Sequence, residues 1–356
     1  MSIDDFEAAA ASRLPEGTLG YYAGGSGSEL SLAANRAAWG EFRLRPRMLV
    51  DVGNVDTSTT VLGERISFPA LVAPTALHRL ATARGELATA EAAAEAGTVM
   101  VLSTLATIGP AQLAASAPPA PRWFQLYRTR EPALNAELVD QAAANGYRAI
   151  VLTVDAPRPG LRERDLRTGF TVPPGVDMPA VTSALGRSEG VTVEEFFSIV
   201  DPSFTWEQLA EMIADCPLPV LLKGILTAED AELACQSGAA GIIVSNHGGR
   251  QLDGVSATAH ALPEVAAATA GRVELYVDGG VRRGRDILVA LALGARAVLV
   301  GRPVLWGLAV DGRRGALAVL ERLRVEFETD LALLGCRTPD GVTAAHVRAP
   351  GTAGQA

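Results

Sequence analysis

Apolar residues along the chain recur in short, nearly uninterrupted runs: PALVAP, TVMVLST, RWFQLY, RAIVLTVD, PVLLKG, GIIVSN, VELYVDGG and AVLVGR. Their β-branched content and lack of polar alternation predict strands buried on both faces, as in a parallel sheet. Between them lie alanine-rich stretches with helical spacing, such as GELATAEAAAEAG, PALNAELVDQAAANG, TAEDAELACQSG and GRDILVALALGA, several ending on glycine. Eight β/α units in series predict an α/β fold of the (β/α)8 TIM-barrel kind. Successive strand ends are separated by roughly 22 to 33 residues, the span of a strand, a helix and two loops.

The interval between the fourth and fifth strands is about twice that and opens with APRPGLRERDLRTGFTVPPGV. An insertion over about residues 158–216 is expected to act as a lid over the barrel. Residues 1–65 read as a helical and irregular N-terminal segment, 66–345 as the barrel, and 346–356 as a frayed tail, all within one domain.

Composition narrows the function. A formal net charge of -9 supplies no basic stripe for nucleic acid. The run ILVALALGA is far shorter than the roughly 20 residues of a membrane span, and the N-terminus carries no signal-peptide pattern, so a cytoplasmic protein with no membrane partner is expected. Three widely spaced cysteines fit reduced thiols, and no metal is implied. Of the 31 basic residues only Lys223 is lysine. An amine kept at a strand end, in a chain that otherwise uses arginine, marks a position where a compact charge is needed.

Barrel chemistry collects at the carboxyl ends of the strands. The polar and turn residues there are Pro74 and Thr75, Ser103, Gln125 and Tyr127, Thr153 and Asp155, Lys223, Ser245 and His247, Asp278, and Gly301 with Arg302. DGGVRRGRD and VGRPV after the last two strands combine glycine amides with Arg282 and Arg302, a pattern suited to a phosphate. His78, His260 and His346 are expected on the surface or in packing.

The motifs VSNHGGRQLDG, FQLY, LTVDAP, LLKGI, VDGGVRRG and VGRPV, with LRPRMLVDV and APTAL upstream, resemble the FMN-dependent L-2-hydroxy acid oxidase and dehydrogenase family, over about Tyr21 to Cys336. The resemblance implies FMN as cofactor, a small-molecule L-2-hydroxy acid and oxygen as reactants, and a homotetramer. It implies His247 as the base, Asp155 as the partner of its imidazolium, Arg250 and Arg162 as a carboxylate clamp, and hydroxyls from Tyr21 and Tyr127. Lys223 would face the flavin edge where negative charge develops on reduction. Pro74, Thr75, Ala76, Ser103, Gln125, Thr153 and Ser245 would contact the ring, Asp278 the ribityl chain, and Gly280, Arg282, Gly301 and Arg302 the phosphate. Gly248 and Gly249 would allow close backbone approach.

The chain departs from the family pattern at Thr82 and Leu161. Leu105 and Pro159 occupy positions resembling substrate-pocket positions that carry larger side chains in glycolate-type members, which points to a medium to large, mandelate-like acid. Oxygen is preferred as acceptor because the stretch between Thr168 and Trp206 lacks an apolar, basic-flanked segment; a dehydrogenase with another acceptor is the alternative. A Schiff-base lyase using Lys223, an FMN-dependent isomerase and a barrel that only binds a phosphorylated ligand are the rival classes.

Overall fold

The computed structural model describes residues 1–182 and 192–350; part of the expected lid and the end of the expected tail lie outside the described residues. Eight parallel strands close into a barrel in chain order: Ala70–Val72, Met100–Ser103, Arg122–Tyr127, Ile150–Thr153, Val220–Ile225, Gly241–Val244, Glu274–Val277 and Ala297–Val300. The apolar runs are continuous because both faces are covered. Val72, Leu102, Phe124 and Ile242 pack outward under the helices, while Leu71, Val101, Trp123 and Ile243 fill the interior.

The N-terminal segment is not only helical and irregular. Thr59–Val61 and Glu64–Ile66 form a hairpin whose Val61 and Ile66 join the interior cluster and floor the barrel. The Leu62 N–H at its turn donates to Glu274 Oε2 at 3.0 Å. Arg43–Leu44 pairs antiparallel with Val347–Arg348, so the chain beyond 346 is tied back rather than loose at its start.

Helices Glu16–Ala23 and Leu30–Ala38 reach the carboxyl end of the barrel. Trp39 Nε1 donates to the Gly279 carbonyl at 2.8 Å, and the Asn35 amide pairs with that of Asn246 in both directions, at 2.7 and 2.9 Å. The long insertion carries helices Glu163–Thr168, Pro179–Thr182 and Val193–Ile199 before Trp206–Asp215 leads into the fifth strand. Among the described residues no helix is long and apolar enough to cross a membrane.

Candidate active site

Strand alternation explains why polar residues collect at one end. Side chains repeat with period two, so interior positions continue upward along each strand: Val101 to Ser103, Trp123 to Gln125 and Tyr127, Val151 to Thr153, Leu221 to Lys223, Ile243 to Ser245, and Tyr276 to Asp278. Apolar layers fill the lower barrel and a polar layer crowns it. Gln125 ties three strands together, accepting from Ser103 Oγ at 3.1 Å and donating to Thr153 Oγ1 at 3.1 Å. Above this layer lies a solvent-open cleft.

His247 follows the sixth strand in a left-handed conformation, φ +58°, and Gly248 and Gly249 continue it. A side chain at Gly249 would meet the Leu32 backbone nitrogen at 2.6 Å, so glycine is needed where the loop passes the helix Leu30–Ala38. The resulting turn holds the imidazole with Nδ1 2.9 Å from Asp155 Oδ1 and Nε2 3.5 Å from the Tyr127 hydroxyl, on the cleft wall. Burial pushes the His247 pKa below its usual value; Asp155 opposes that shift, while Lys223 and Arg162 add to it. Burial alone would raise the Asp155 carboxyl, yet the charge and hydrogen bond of His247, with Lys223 behind, hold it below the usual carboxylate range. The pair is therefore a neutral imidazole on an ionised carboxylate at neutral pH. Burial raises the Tyr127 phenol.

Lys223 is almost fully buried and donates to Ser245 Oγ at 2.7 Å, with Asp278 Oδ2 at 3.0 Å. Ser245 Oγ also accepts the His247 N–H at 3.0 Å. Ser245, expected to face a flavin ring, is wholly buried and does not line the cleft, its hydroxyl engaged by Lys223 and the His247 N–H. Asp278 likewise is first a partner of Lys223, and only its Oδ1 lacks a partner among the described residues.

The Tyr21 ring lies between two guanidinium groups, 5.0 Å from Arg250 and 5.9 Å from Arg162, and stacks on Phe170 at 4.6 Å. Arg250 Nη1 donates to the carbonyls of Tyr21 and Gly24 at 2.6 and 2.9 Å, and burial followed by the nearby Arg162 charge brings its pKa down to about 10. The Arg162 Nη1 lies 3.9 Å from Asp165. Two positive groups that line one open space have the charge and donors to suit a carboxylate.

At the last two strand ends, Arg282 keeps a buried Nε without a partner among the described residues, and burial lowers its pKa. Arg302 is not the free fork expected. Its three nitrogens donate to the carbonyls of Tyr22, Gly24 and Gly248, while burial, Arg250 and Arg282 bring its pKa down to about 9. Gly280 has φ +84°, and a Cβ there would collide with the Asn35 carbonyl. An unpaired cationic donor beside mutually repelling guanidiniums fits a phosphate, and the unpaired Asp278 Oδ1 fits a polyol hydroxyl, so these residues suit FMN.

Pro74, Thr75, Ala76, Leu105 and Gly301 line the cleft as expected. Pro159 does not: it is exposed and bounds no part of the cleft. His78 is a packing residue between Thr75 and Thr89, at 2.6 and 2.9 Å. Tyr22, Val193 and Phe197 line the cleft without having been singled out. Phe197 also packs edge-on against Tyr127 with ring centroids 5.7 Å apart. Their i, i+4 spacing marks Val193 and Phe197 as one helix face, but nothing local shows that this face turns to the barrel.

The family model described as FMN-dependent dehydrogenase matches residues 10–349. An L-lactate oxidase of Nostoc sp. is 46% identical over 345 residues, covering 94% of each chain. The glycolate oxidase of Spinacia oleracea is 45% identical over 358 residues, covering 98% of this chain and 95% of its own. A solved mandelate oxidase with (S)-4-hydroxymandelic acid superposes with a TM-score of 0.90 at 43% identity, covering 98% of both chains.

Proposed function

The chain belongs to the FMN-dependent dehydrogenase family, and from that membership we propose that it oxidises an L-2-hydroxy acid to the 2-oxo acid with oxygen as electron acceptor, yielding hydrogen peroxide. Bound FMN supplies the two-electron redox chemistry. The observation that carries the reading is His247 on the cleft wall, backed by Asp155, beside the guanidinium groups of Arg250 and Arg162.

Arg250 and Arg162 hold the substrate carboxylate, which fixes the hydroxyl-bearing carbon in front of His247. His247 Nε2 takes the substrate proton, because Nδ1 is committed to Asp155 and the neutral ring has its other lone pair free. Asp155 then stabilises the imidazolium. Tyr127 and Tyr21 orient the substrate through their hydroxyls. Lys223 and the wall residues Pro74, Thr75, Ala76, Ser103, Gln125 and Thr153 would hold the flavin ring, Asp278 the ribityl chain, and Gly280, Arg282, Gly301 and Arg302 the phosphate.

A mandelate-like aromatic acid is the substrate that the wall of Leu105, Val193, Phe197 and Tyr127 supports, since apolar and aromatic side chains favour an aryl group. The similar mandelate oxidase structure supports it as well. With Pro159 exposed, pocket size rests on Leu105 alone of the two positions singled out from sequence.

The test is an absorption spectrum of the purified protein, then anaerobic addition of L-lactate, glycolate and (S)-mandelate, then air. Bleaching fastest with mandelate, and recovery with stoichiometric peroxide, is the expected outcome. Faster bleaching by lactate would overturn the substrate, recovery only with an artificial acceptor would overturn oxygen, and a protein that takes up no flavin would overturn the reaction class.

A further inference from the structure

Gly224 interrupts the fifth barrel strand directly against Asp155. Pairing with the sixth strand slips between Lys223 and Ile225, a bulge that leaves Gly224 at φ +117°. A Cβ at this position would fall 2.6 Å from Asp155 Cβ, 2.7 Å from its Cγ and 2.9 Å from its backbone nitrogen. Carbon atoms in ordinary contact stand about 3.5–4.0 Å apart. The missing side chain is thus the space that Asp155 occupies.

Hydrogen bonding leaves the Asp155 carboxylate under-determined. Oδ1 meets His247 Nδ1, but the buried Oδ2 has no partner among the described residues. Gln251 Nε2 donates to the Asp155 backbone carbonyl at 3.0 Å, which fixes the main chain and not the side chain. What remains to orient the carboxylate is packing, and the surface it packs on is the bare backbone of Gly224. On this basis, and resting on the reading of His247 as the base, we propose that Gly224 is a positioning residue whose lack of a side chain seats Asp155 against the His247 imidazole.

A second cavity, of about 400 Å³, is bordered by Asp155, Gly224, Phe204 and Trp206. A carboxylate displaced by a methyl group has room to retreat there, so Gly224→Ala is expected to fold and to keep its flavin while losing the 2.9 Å contact. The charged and titratable groups facing His247 are Asp155, Lys223, Arg162 and the Tyr127 phenol. Among them only Asp155 holds the imidazole's proton affinity up, so its displacement moves the acid limb of the pH profile to lower pH.

The experiment compares flavin-loaded wild type, Gly224→Ala, Asp155→Asn and the double variant by kcat/KM against pH. Gly224→Ala is expected to lose roughly 10²-fold, to shift its acid limb downward, and to add little to the loss already caused by Asp155→Asn. A wild-type profile in Gly224→Ala, or a full additional loss in the Asp155→Asn background, overturns the proposal. If Gly224→Ala does not load flavin, Asp155→Gly/Gly224→Ala decides: loading restored by removing the Asp155 side chain supports the proposal, and failure of both shows that the backbone angle alone demands glycine. His247→Ala separates this from the reading beneath it, since turnover surviving that change would remove the base itself, whereas its loss with an unaffected Gly224→Ala would remove only the role of Gly224.

Discussion

Lys223 and Asp278 form an ion pair at 3.0 Å inside the barrel, both side chains nearly closed to solvent. Breaking one half of such a pair leaves an uncompensated buried charge, at a cost of about 3–5 kcal/mol. Lys223→Met is therefore expected to destabilise the flavin-free protein by that amount at neutral pH, measured by urea unfolding. A double variant, Lys223→Met/Asp278→Leu, should recover most of the loss.

His247 titrates below its usual value because burial outweighs the support of Asp155. Only the neutral ring accepts a proton, so kcat/KM is expected to be flat through neutrality and to fall only on the acid side of the ordinary histidine value of about 6.5. Asp155→Asn removes the contributions that raise the His247 pKa. Its acid limb should move to lower pH, while the plateau drops by roughly 10²- to 10⁴-fold, the usual worth of general base catalysis. A limb that moved upward would show that another group controls the profile.

Much of this site is legible in the sequence because barrel geometry and strand alternation are both local rules. An uninterrupted apolar run announces a strand buried on both faces, and the residue two places beyond its last interior side chain faces the same axis. That is how Thr153 and Asp155, or Ser245 and His247, come to share an end of the barrel. The rule does not tell how deep a residue sits: Ser245, held by Lys223 and the His247 N–H, is wholly buried, which a list of strand-end residues does not show. The hairpin Thr59–Ile66 has arms of three residues, too short to show a period. The pairing of Arg43–Leu44 with Val347–Arg348 joins opposite ends of the chain and leaves no local signal. The exposure of Pro159 is no more local: its place depends on the course of a long insertion, which tertiary contacts decide.

Arg250 holds two backbone carbonyls of the N-terminal segment as well as facing the cleft. Lysine at this position keeps a charge but has no planar fork, so it cannot serve both. Arg250→Lys is expected to retain flavin and to lose kcat/KM by about 1.5–3 kcal/mol of transition-state stabilisation, chiefly through a higher KM. Steady-state kinetics beside the flavin absorbance ratio checks both parts.

Arg282 and Arg302 differ in what they can offer an anion. Arg302 has three nitrogens engaged by Tyr22, Gly24 and Gly248, so its removal should loosen the N-terminal segment and the His247 loop together. Among the described residues Arg282 has only the Val281 carbonyl as an acceptor for its guanidinium, at 2.9 Å, and its Nε is unpaired. Its removal should act on the phosphate alone. Arg282→Ala is thus expected to weaken FMN by about 1.5–3 kcal/mol, the worth of a charge-assisted hydrogen bond, while leaving riboflavin, which lacks the phosphate, bound as in wild type. Fluorescence titration of the apoprotein with both flavins measures the ratio directly. Equal weakening of the two would mean that Arg282 shapes the ring or ribityl site instead, and the phosphate would then have to be held by glycine amides and the remaining donors of Arg302.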